Sequence, residues 1–427
     1  MNLAGYNFVL TNLRLMRHLW QTLTWGMNVL TPDQIAKQMM GALAPFGAHA
    51  GAILAAPTVQ NHAAFLARWS DGALICAWFG GSLEGKSDIS IHAAILDEGA
   101  ARWSAPSRMT DLPDRSEQNP VLHVMPGGQG YLFNTAQPAG NQDQSRVFMR
   151  RVTRDGDSLI AGPARDIGLP DGTFIRAPLT IRDDGAWMLP LFLCNPREGY
   201  RWTGAHDSAA MAVSEDAGET WSVTHVPGSA GAVHMTPIAL GQERMAAFYR
   251  RRQADFVHRS ESHDGGRSWS APVPTDVPNN NSSIGVVRLD NGLLAMVCNP
   301  MSAAQSTARR QSLYDELEGD DTRPDATDGC APIWGVERGP LSLCLSADGG
   351  RSFPFRHIVE DSPGTCLTND SLDGNNKELS YPMILPRADG GLEVAYTLYR
   401  RAIRHVRLSP DWMRRICAEA MLKGAPQ

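Results

Sequence analysis

Basic excess charge, paired cysteine spacing and long apolar runs are all missing from this 427-residue sequence. The formal net charge is −6, so there is no basic excess of the kind nucleic acid recognises, and no nucleic-acid partner is expected. A local positive site inside an acidic shell stays compatible with that balance, because net charge does not fix distribution. The seven cysteines, Cys76, Cys194, Cys298, Cys330, Cys344, Cys366 and Cys417, are odd in number and include no C-x-x-C pair. Several lie in apolar runs such as Leu74-Ile75-Cys76-Ala77-Trp78, which reads as small core residues in a reducing compartment. No uninterrupted apolar stretch reaches the ~18 residues that mark a membrane helix, and no N-terminal apolar run leads to an Ala-x-Ala site. A cytoplasmic location without a membrane partner is the expectation. A G-x-G-x-x-G after a strand, a Walker pattern and a His/Cys/Asp cluster at ligand spacing are also lacking, so neither cofactor nor metal is expected.

What is present is punctuation. The 40 glycines and 28 prolines suit many short strands joined by tight turns. Residues 1–45 stand apart: Thr31-Pro32-Asp33 reads as a helix start, followed by Ile35, Met39, Met40 and Leu43 at helical spacing. They predict a short helical extension. From about residue 57 apolar runs alternate with Asp-Gly or Asn-Gly turns, at Asp71-Gly72, Asp184-Gly185, Asn291-Gly292 and Asp389-Gly390. Each predicts a β-hairpin.

A second element repeats alongside. Ser214-Glu-Asp216-Ala-Gly218-Glu-Thr220-Trp221 and Ser262-His-Asp264-Gly-Gly266-Arg-Ser268-Trp269 are complete copies, and Ser346-Ala-Asp348-Gly-Gly350-Arg-Ser352-Phe353 is nearly so. Asp97 and Asp155 mark eroded copies, giving spacings of 58, 61, 48 and 84 residues. Periods near 50 suit four-stranded propeller blades. In such a turn the aspartate accepts backbone N–H groups, the glycine supplies positive φ, and the aromatic wedges between strands. These aspartates are therefore read as structural. Five marked blades and a closing one over Tyr381–Arg407 predict an all-β, six-bladed β-propeller spanning 46–415, with seven blades the alternative. The longest spacing holds a polar insertion at about 303–335, expected to be a long loop and a candidate lid.

These boxes, with Asn299-Pro300, Pro278-Asn-Asn-Asn-Ser-Ser283 and Glu378-Leu-Ser-Tyr-Pro382, make residues 57–410 resemble the Asp-box branch of the sialidase superfamily. The resemblance implies a six-bladed propeller with an axial site: three arginines for a sugar carboxylate, a tyrosine nucleophile helped by a glutamate, and an aspartate acid/base. Tyr381, ahead of the final hairpin, stands where the nucleophile is placed, and an anionic sugar suits a phenolate better than a carboxylate nucleophile. Arg338 resembles the third arginine and Arg250 the second, with Arg251 and Arg252 as neighbours competing for that place. Guanidinium forks grip carboxylates in a bidentate manner, which is why several are used. The first arginine is replaced by His62, a residue able to donate to a carboxylate or act as a base. Glu84 and Asp88, in the loop after the first hairpin, are the acid/base candidates, Glu84 preferred. His234 stands where the helper glutamate would be. Arg176, opening another blade, is a further axial candidate.

The implied function is an exo-acting glycoside hydrolase for a terminal carboxylate-bearing sugar. A uronate-specific lyase using His62, His234 or Tyr381 is the second reading, and a non-catalytic glycan-binding propeller the third. The expected partner is an acidic sugar or oligosaccharide.

Overall fold

The computed structural model describes residue 38 and residues 40–424, except 139, 141, 311–312, 314–322, 362–365 and 367–377. Six antiparallel sheets of four or five strands follow one another around the chain. Blade 1 runs from Gln60–Arg68 to Ser107–Arg108, blade 2 from Ser116–Val124 to Arg165–Asp166, and blade 3 from Thr173–Ile175 to Ser222–His225. Blade 4 runs from Ala232–Gly241 to Val273–Pro278, and blade 5 from Gly285–Arg288 to Phe355–Glu360. Blade 6 is composite. Leu379–Pro386, Leu392–Leu398 and Ala402–Leu408 supply its inner strands, while His49–Ile53 and Ala44–Phe46 complete it from the other end of the described chain. Pairing of Ala50 with Arg407 and Ile53 with Arg404 closes the ring, so no sheet edge is left at the join.

Each Asp-Gly or Asn-Gly signal becomes the hairpin between a blade's first two strands. Asp71 accepts the Ala73 N–H at 3.0 Å, Asp184 that of Ala186 at 3.2 Å, Asn291 that of Leu293 at 3.1 Å and Asp389 that of Gly391 at 2.9 Å. The boxes fall one turn further out, between third and fourth strands. In blade 4 the Asp264 carboxylate takes the Ser268 N–H at 2.9 Å and the Ser262 hydroxyl at 2.8 Å. Gly266, at φ +86°, gives its N–H to Ser262 Oγ, and Trp269 donates its indole N–H to the Gly266 carbonyl at 3.1 Å. Blades 3 and 5 repeat this around Asp216 and Asp348. Asp97 and Asp155 sit at the corresponding turns of blades 1 and 2. Blade 6 has no box for a topological reason: its third and fourth strands come from distant parts of the chain, so no turn joins them.

Most of the helical extension lies outside the described residues. Its last expected apolar position, Leu43, is not helical: beyond Gly41 the backbone extends into strand Ala44–Phe46, because these residues complete blade 6. A helix that the repeats do not announce, Pro410–Gly424, follows the last strand. Ser409 Oγ accepts the Trp412 N–H at 3.3 Å as its cap, and Met413, Ile416, Cys417 and Ala420 bury one face against blades 5 and 6. The insertion joins the second and third strands of blade 5 and docks sideways, with Ile333 N on the Arg252 carbonyl at 2.7 Å and Cys330 N on that of Ala205 at 2.9 Å.

The inner strands carry the feature that positions the site. In blades 1, 2, 4 and 6 the innermost strand bulges, with register shifts between His62 and Phe65, Gln118 and Val121, Val233 and Thr236, and Ser380 and Met383. A non-glycine residue in the left-handed region sits in each: Ala63 (φ 61°), Asn119 (φ 51°), His234 (φ 55°) and Tyr381 (φ 52°). In blade 3 the inner strand breaks between Ile175 and Thr180 instead, directly at Arg176. Bulges re-aim side chains, and left-handed non-glycine residues persist only where the surroundings over-determine them.

The box aspartates hold turns rather than chemistry. Asp264→Ala is expected to cost about 1–3 kcal/mol through its lost hydrogen bonds, read as a lower denaturation midpoint. Ligand affinity at the axis should not change.

Candidate active site

Tyr381 is the hub. Its ring lies among three guanidinium groups, with Cζ of Arg250 and Arg338 each 5.6 Å and Cζ of Arg176 5.7 Å from the ring centroid. Arg250 Nη1 donates to the phenol oxygen at 2.5 Å, and Arg250 Nε is fixed by Asn281 Oδ1 at 2.8 Å. The His62 ring is 4.3 Å from the Tyr381 ring and that of His234 5.6 Å, the latter edge-on. Tyr381, Arg250, Arg338, Arg176, His62 and His234 thus come together from five blades, all of them buried.

A second ring of charge surrounds this one. Glu378 Oε1 accepts Arg338 Nη1 at 2.7 Å, Arg400 Nε at 3.0 Å and the Ser380 hydroxyl at 2.6 Å. Arg400 Nη1 also binds the Glu84 carboxylate, drawing the loop after the first hairpin to the axis. Arg400 reaches inward from a turn in which it and Tyr399 are left-handed, at φ 59° and 53°. Of the two loop carboxylates only Glu84 arrives. Asp88 is exposed, and its carboxylate holds the Ser82 N–H at 3.0 Å, a turn-stabilising contact. The neighbours of Arg250 go elsewhere: Arg252 pairs with buried Asp207 at 2.5 Å, and Arg251 donates to the Ala230 carbonyl at 2.9 Å.

Two residues at the centre of this network carry no role in the sequence reading. Glu378 lies inside a quoted motif, three positions before Tyr381, and Arg400 in an ordinary-looking Tyr-Arg-Arg turn. Glu378 and Ser380 alternate on one face and share a hydrogen bond, but the bulge that brings Tyr381 beside them is not legible in the sequence. For Arg400 no local signal exists, because its partners are 22 and 316 residues away in sequence.

The electrostatics follow from burial and count. Arg176, Arg250, Arg338 and Arg400 face Glu84 and Glu378, so the cluster holds two more guanidinium groups than carboxylates. Burial alone would raise the Tyr381 phenol, but Arg250, Arg338 and Arg400 outweigh it and leave it below its ordinary value. Burial likewise pushes the Glu378 carboxyl up, and Arg400 and Arg338 reverse this, holding it well below the usual range. Burial followed by neighbouring arginines lowers both His62 and His234 far enough to keep them neutral. Burial also draws Arg176 and Arg250 down to about 10, still charged at neutral pH. Arg176 Nη2 is spent on the Ala64 and Tyr381 carbonyls at 2.8 and 3.0 Å, whereas its Nε and Nη1 have no partner. Unpaired buried donors around excess positive charge are chemically suited to receive an anion.

The sequence matches the BNR repeat-like domain over residues 72–394. The chain belongs to that family. No curated protein sequence matches it. Among solved structures, this BNR-repeat propeller is similar to a Hadza microbial sialidase at TM-score 0.62 and 12% identity, over 83% of this chain and 66% of that one. It is also similar to Trypanosoma rangeli sialidase in complex with the inhibitor DANA, at TM-score 0.60 and 11% identity, over 86% of this chain and 57% of that one. The intramolecular trans-sialidase of Ruminococcus gnavus, in complex with oseltamivir carboxylate, gives TM-score 0.59 and 11% identity over 83% of this chain and 95% of its own. The BNR-repeat propeller described here therefore spans less than two thirds of the first two. At these identities the likeness establishes the sialidase-like fold.

Two outcomes are expected. Glu378→Ala strips the partner from two buried guanidinium groups and should destabilise the fold by about 3–5 kcal/mol, measured by denaturant unfolding. A near-ultraviolet titration that subtracts Tyr381→Phe from the parent should show Tyr381 ionising below the ordinary tyrosine value of about 10. An acid whose pKa falls on folding favours the folded state above that pKa, so this contribution grows as pH rises through it.

Proposed function

We propose that this protein is an exo-acting glycoside hydrolase for a terminal, carboxylate-bearing sugar, with Tyr381 as its nucleophile. The observation that carries the reading is the Tyr381 phenol oxygen receiving an arginine N–H at 2.5 Å while three guanidinium groups surround its ring. Such surroundings stabilise phenolate and attract an anionic sugar, the combination in which a phenolate nucleophile is useful. The sialidase-like fold and the carboxylate ligand of the R. gnavus enzyme support the same substrate class.

In this scheme Arg250, Arg338 and Arg176 hold the sugar carboxylate. The Tyr381 oxygen, as phenolate, attacks the anomeric carbon as the bond to the leaving oxygen breaks, and a carboxylic acid protonates that leaving oxygen. Glu84, 15% exposed at its side chain and tied to Arg400, takes this task in the scheme. Water then displaces Tyr381 from the anomeric carbon, giving its proton to the same carboxylate and restoring the free enzyme with net retention. Glu378 takes no direct part. Saturated by Arg338, Arg400 and Ser380, it orients the guanidinium groups. Asp88, on the exposed side of its loop, has no part in the scheme.

One observation favours the lyase reading: His62 and His234 are buried and neutral, each with a ring nitrogen without a partner, Nε2 and Nδ1 respectively. A neutral imidazole can remove the α-proton of a uronate whose carboxylate is neutralised by arginine. The two chemistries leave different products. Incubation with a panel of sialosides and uronic-acid oligosaccharides should release the free acidic sugar without new near-ultraviolet absorbance. Absorbance from an unsaturated product would select elimination instead. Tyr381→Phe should cut hydrolysis by on the order of 10³-fold or more with its unfolding midpoint retained. Full turnover in that variant would remove the nucleophile assignment.

A further inference from the structure

Resting on the acidic-sugar reading above, we propose that Thr397 locks His62 as its Nε2–H tautomer, so that His62 donates a hydrogen bond to a carboxylate oxygen of the sugar and is not a base. The lock is a directional chain. The Ala63 N–H donates to Thr397 Oγ1 at 3.1 Å, and Thr397 Oγ1 lies 2.7 Å from His62 Nδ1. The Ala63 N–H occupies one lone pair of that hydroxyl oxygen. The hydroxyl proton then needs an acceptor, and Nδ1 is the one within reach, so Nδ1 carries the lone pair and Nε2 the proton. Glu378 does not reverse this. Its Oε1 is 3.9 Å from Nδ1, too far for a hydrogen bond, and already accepts from Arg338, Arg400 and Ser380.

Nε2 is the nitrogen without a partner, on a ring that is 0% exposed and 4.3 Å from the Tyr381 ring. A buried N–H with no acceptor is costly unless something supplies one. The charged groups facing His62 are Arg400, Arg338, Arg176 and Glu378, and with Glu378 spent no protein acceptor pairs with Nε2 among the described residues, which leaves that N–H available to a ligand oxygen. An oxygen of the same carboxylate that the arginines attract satisfies it. The consequence for specificity is that one arm of the carboxylate clamp is a neutral donor. It adds no fifth positive charge to a cluster that already holds two more guanidinium groups than carboxylates. Thr397, which reaches the ligand only through His62, is a positioning residue.

The test is ¹⁵N NMR of the full chain, with the His62 ring signals assigned by their loss in His62→Gln, combined with calorimetric titration of N-acetylneuraminic acid. A protonated Nε2 with a bare Nδ1 is expected, unchanged in tautomer from pH 8 down to 6. His62→Leu should weaken binding on the order of 10- to 100-fold, the span of a hydrogen bond to a charged group, and His62→Gln should recover most of that loss. Thr397→Val should mix the tautomers and weaken binding, while Thr397→Ser should preserve both signals. A proton on Nδ1, or unchanged affinity in His62→Leu, overturns the proposal. No binding of any acidic sugar by the parent, with the Nε2–H signal present, overturns the acidic-sugar reading and leaves the tautomer standing.

Discussion

Glu378 is the group on which the axial site depends. One buried carboxylate oxygen takes Arg338, Arg400 and Ser380 together, and through Arg400 it reaches the loop carboxylate Glu84. Buried guanidinium groups repel one another and lose hydration, and a bridging carboxylate offsets much of both effects. The compensation stops short of neutrality. Arg250 is satisfied by Asn281 and the Tyr381 phenol, and Arg176 keeps two N–H groups in reserve. A site that balanced all four arginines would be a structural knot. One that leaves positive charge around a phenol is prepared for an anion.

The propeller supplies this arrangement by repetition. Blades 1, 2, 4 and 6 all bulge by the same single residue on the innermost strand, which turns the local side chain toward the axis. Asn119 of blade 2 stands at the position that Tyr381 holds in blade 6, and both precede proline. One backbone device, used several times, lets unlike residues converge. The cost of each left-handed residue is on the order of 1 kcal/mol, small beside the packing of six blades.

How much of this could be read from sequence depends on range. The hairpin turns and boxes are local: Asp264 reaches only to Ser262 and Ser268, and Gly266 only to its own turn, so their pattern predicts their structure. Six blades followed, and the missing sixth box is explained by strands His49–Ile53 and Ala402–Leu408 meeting from far apart in the sequence. Arg250 and Arg338 are singled out by the family resemblance, and each follows or precedes an apolar strand, as Arg176 does by opening one; Glu378 and Arg400 act through partners that local pattern does not reveal. Between Glu84 and Asp88, four residues apart, the preference for Glu84 rests on Asp88 abutting the next strand, and it is the loop's fold that turns Glu84 inward to Arg400 and leaves Asp88 exposed. The helix at 410–424 lies beyond the last repeat, where the blade pattern says nothing, although Met413, Ile416, Cys417 and Ala420 carry a helical period.

The central claim is that unmatched positive charge around Tyr381 selects a carboxylate-bearing sugar. Parallel calorimetric titrations with N-acetylneuraminic acid and with its uncharged methyl ester test this most directly. The account predicts measurable binding of the acid that falls in Arg250→Ala and Arg338→Ala, with the ester bound at least about tenfold more weakly even by the parent protein. Equal affinity for acid and ester, unaffected by loss of either arginine, would contradict it.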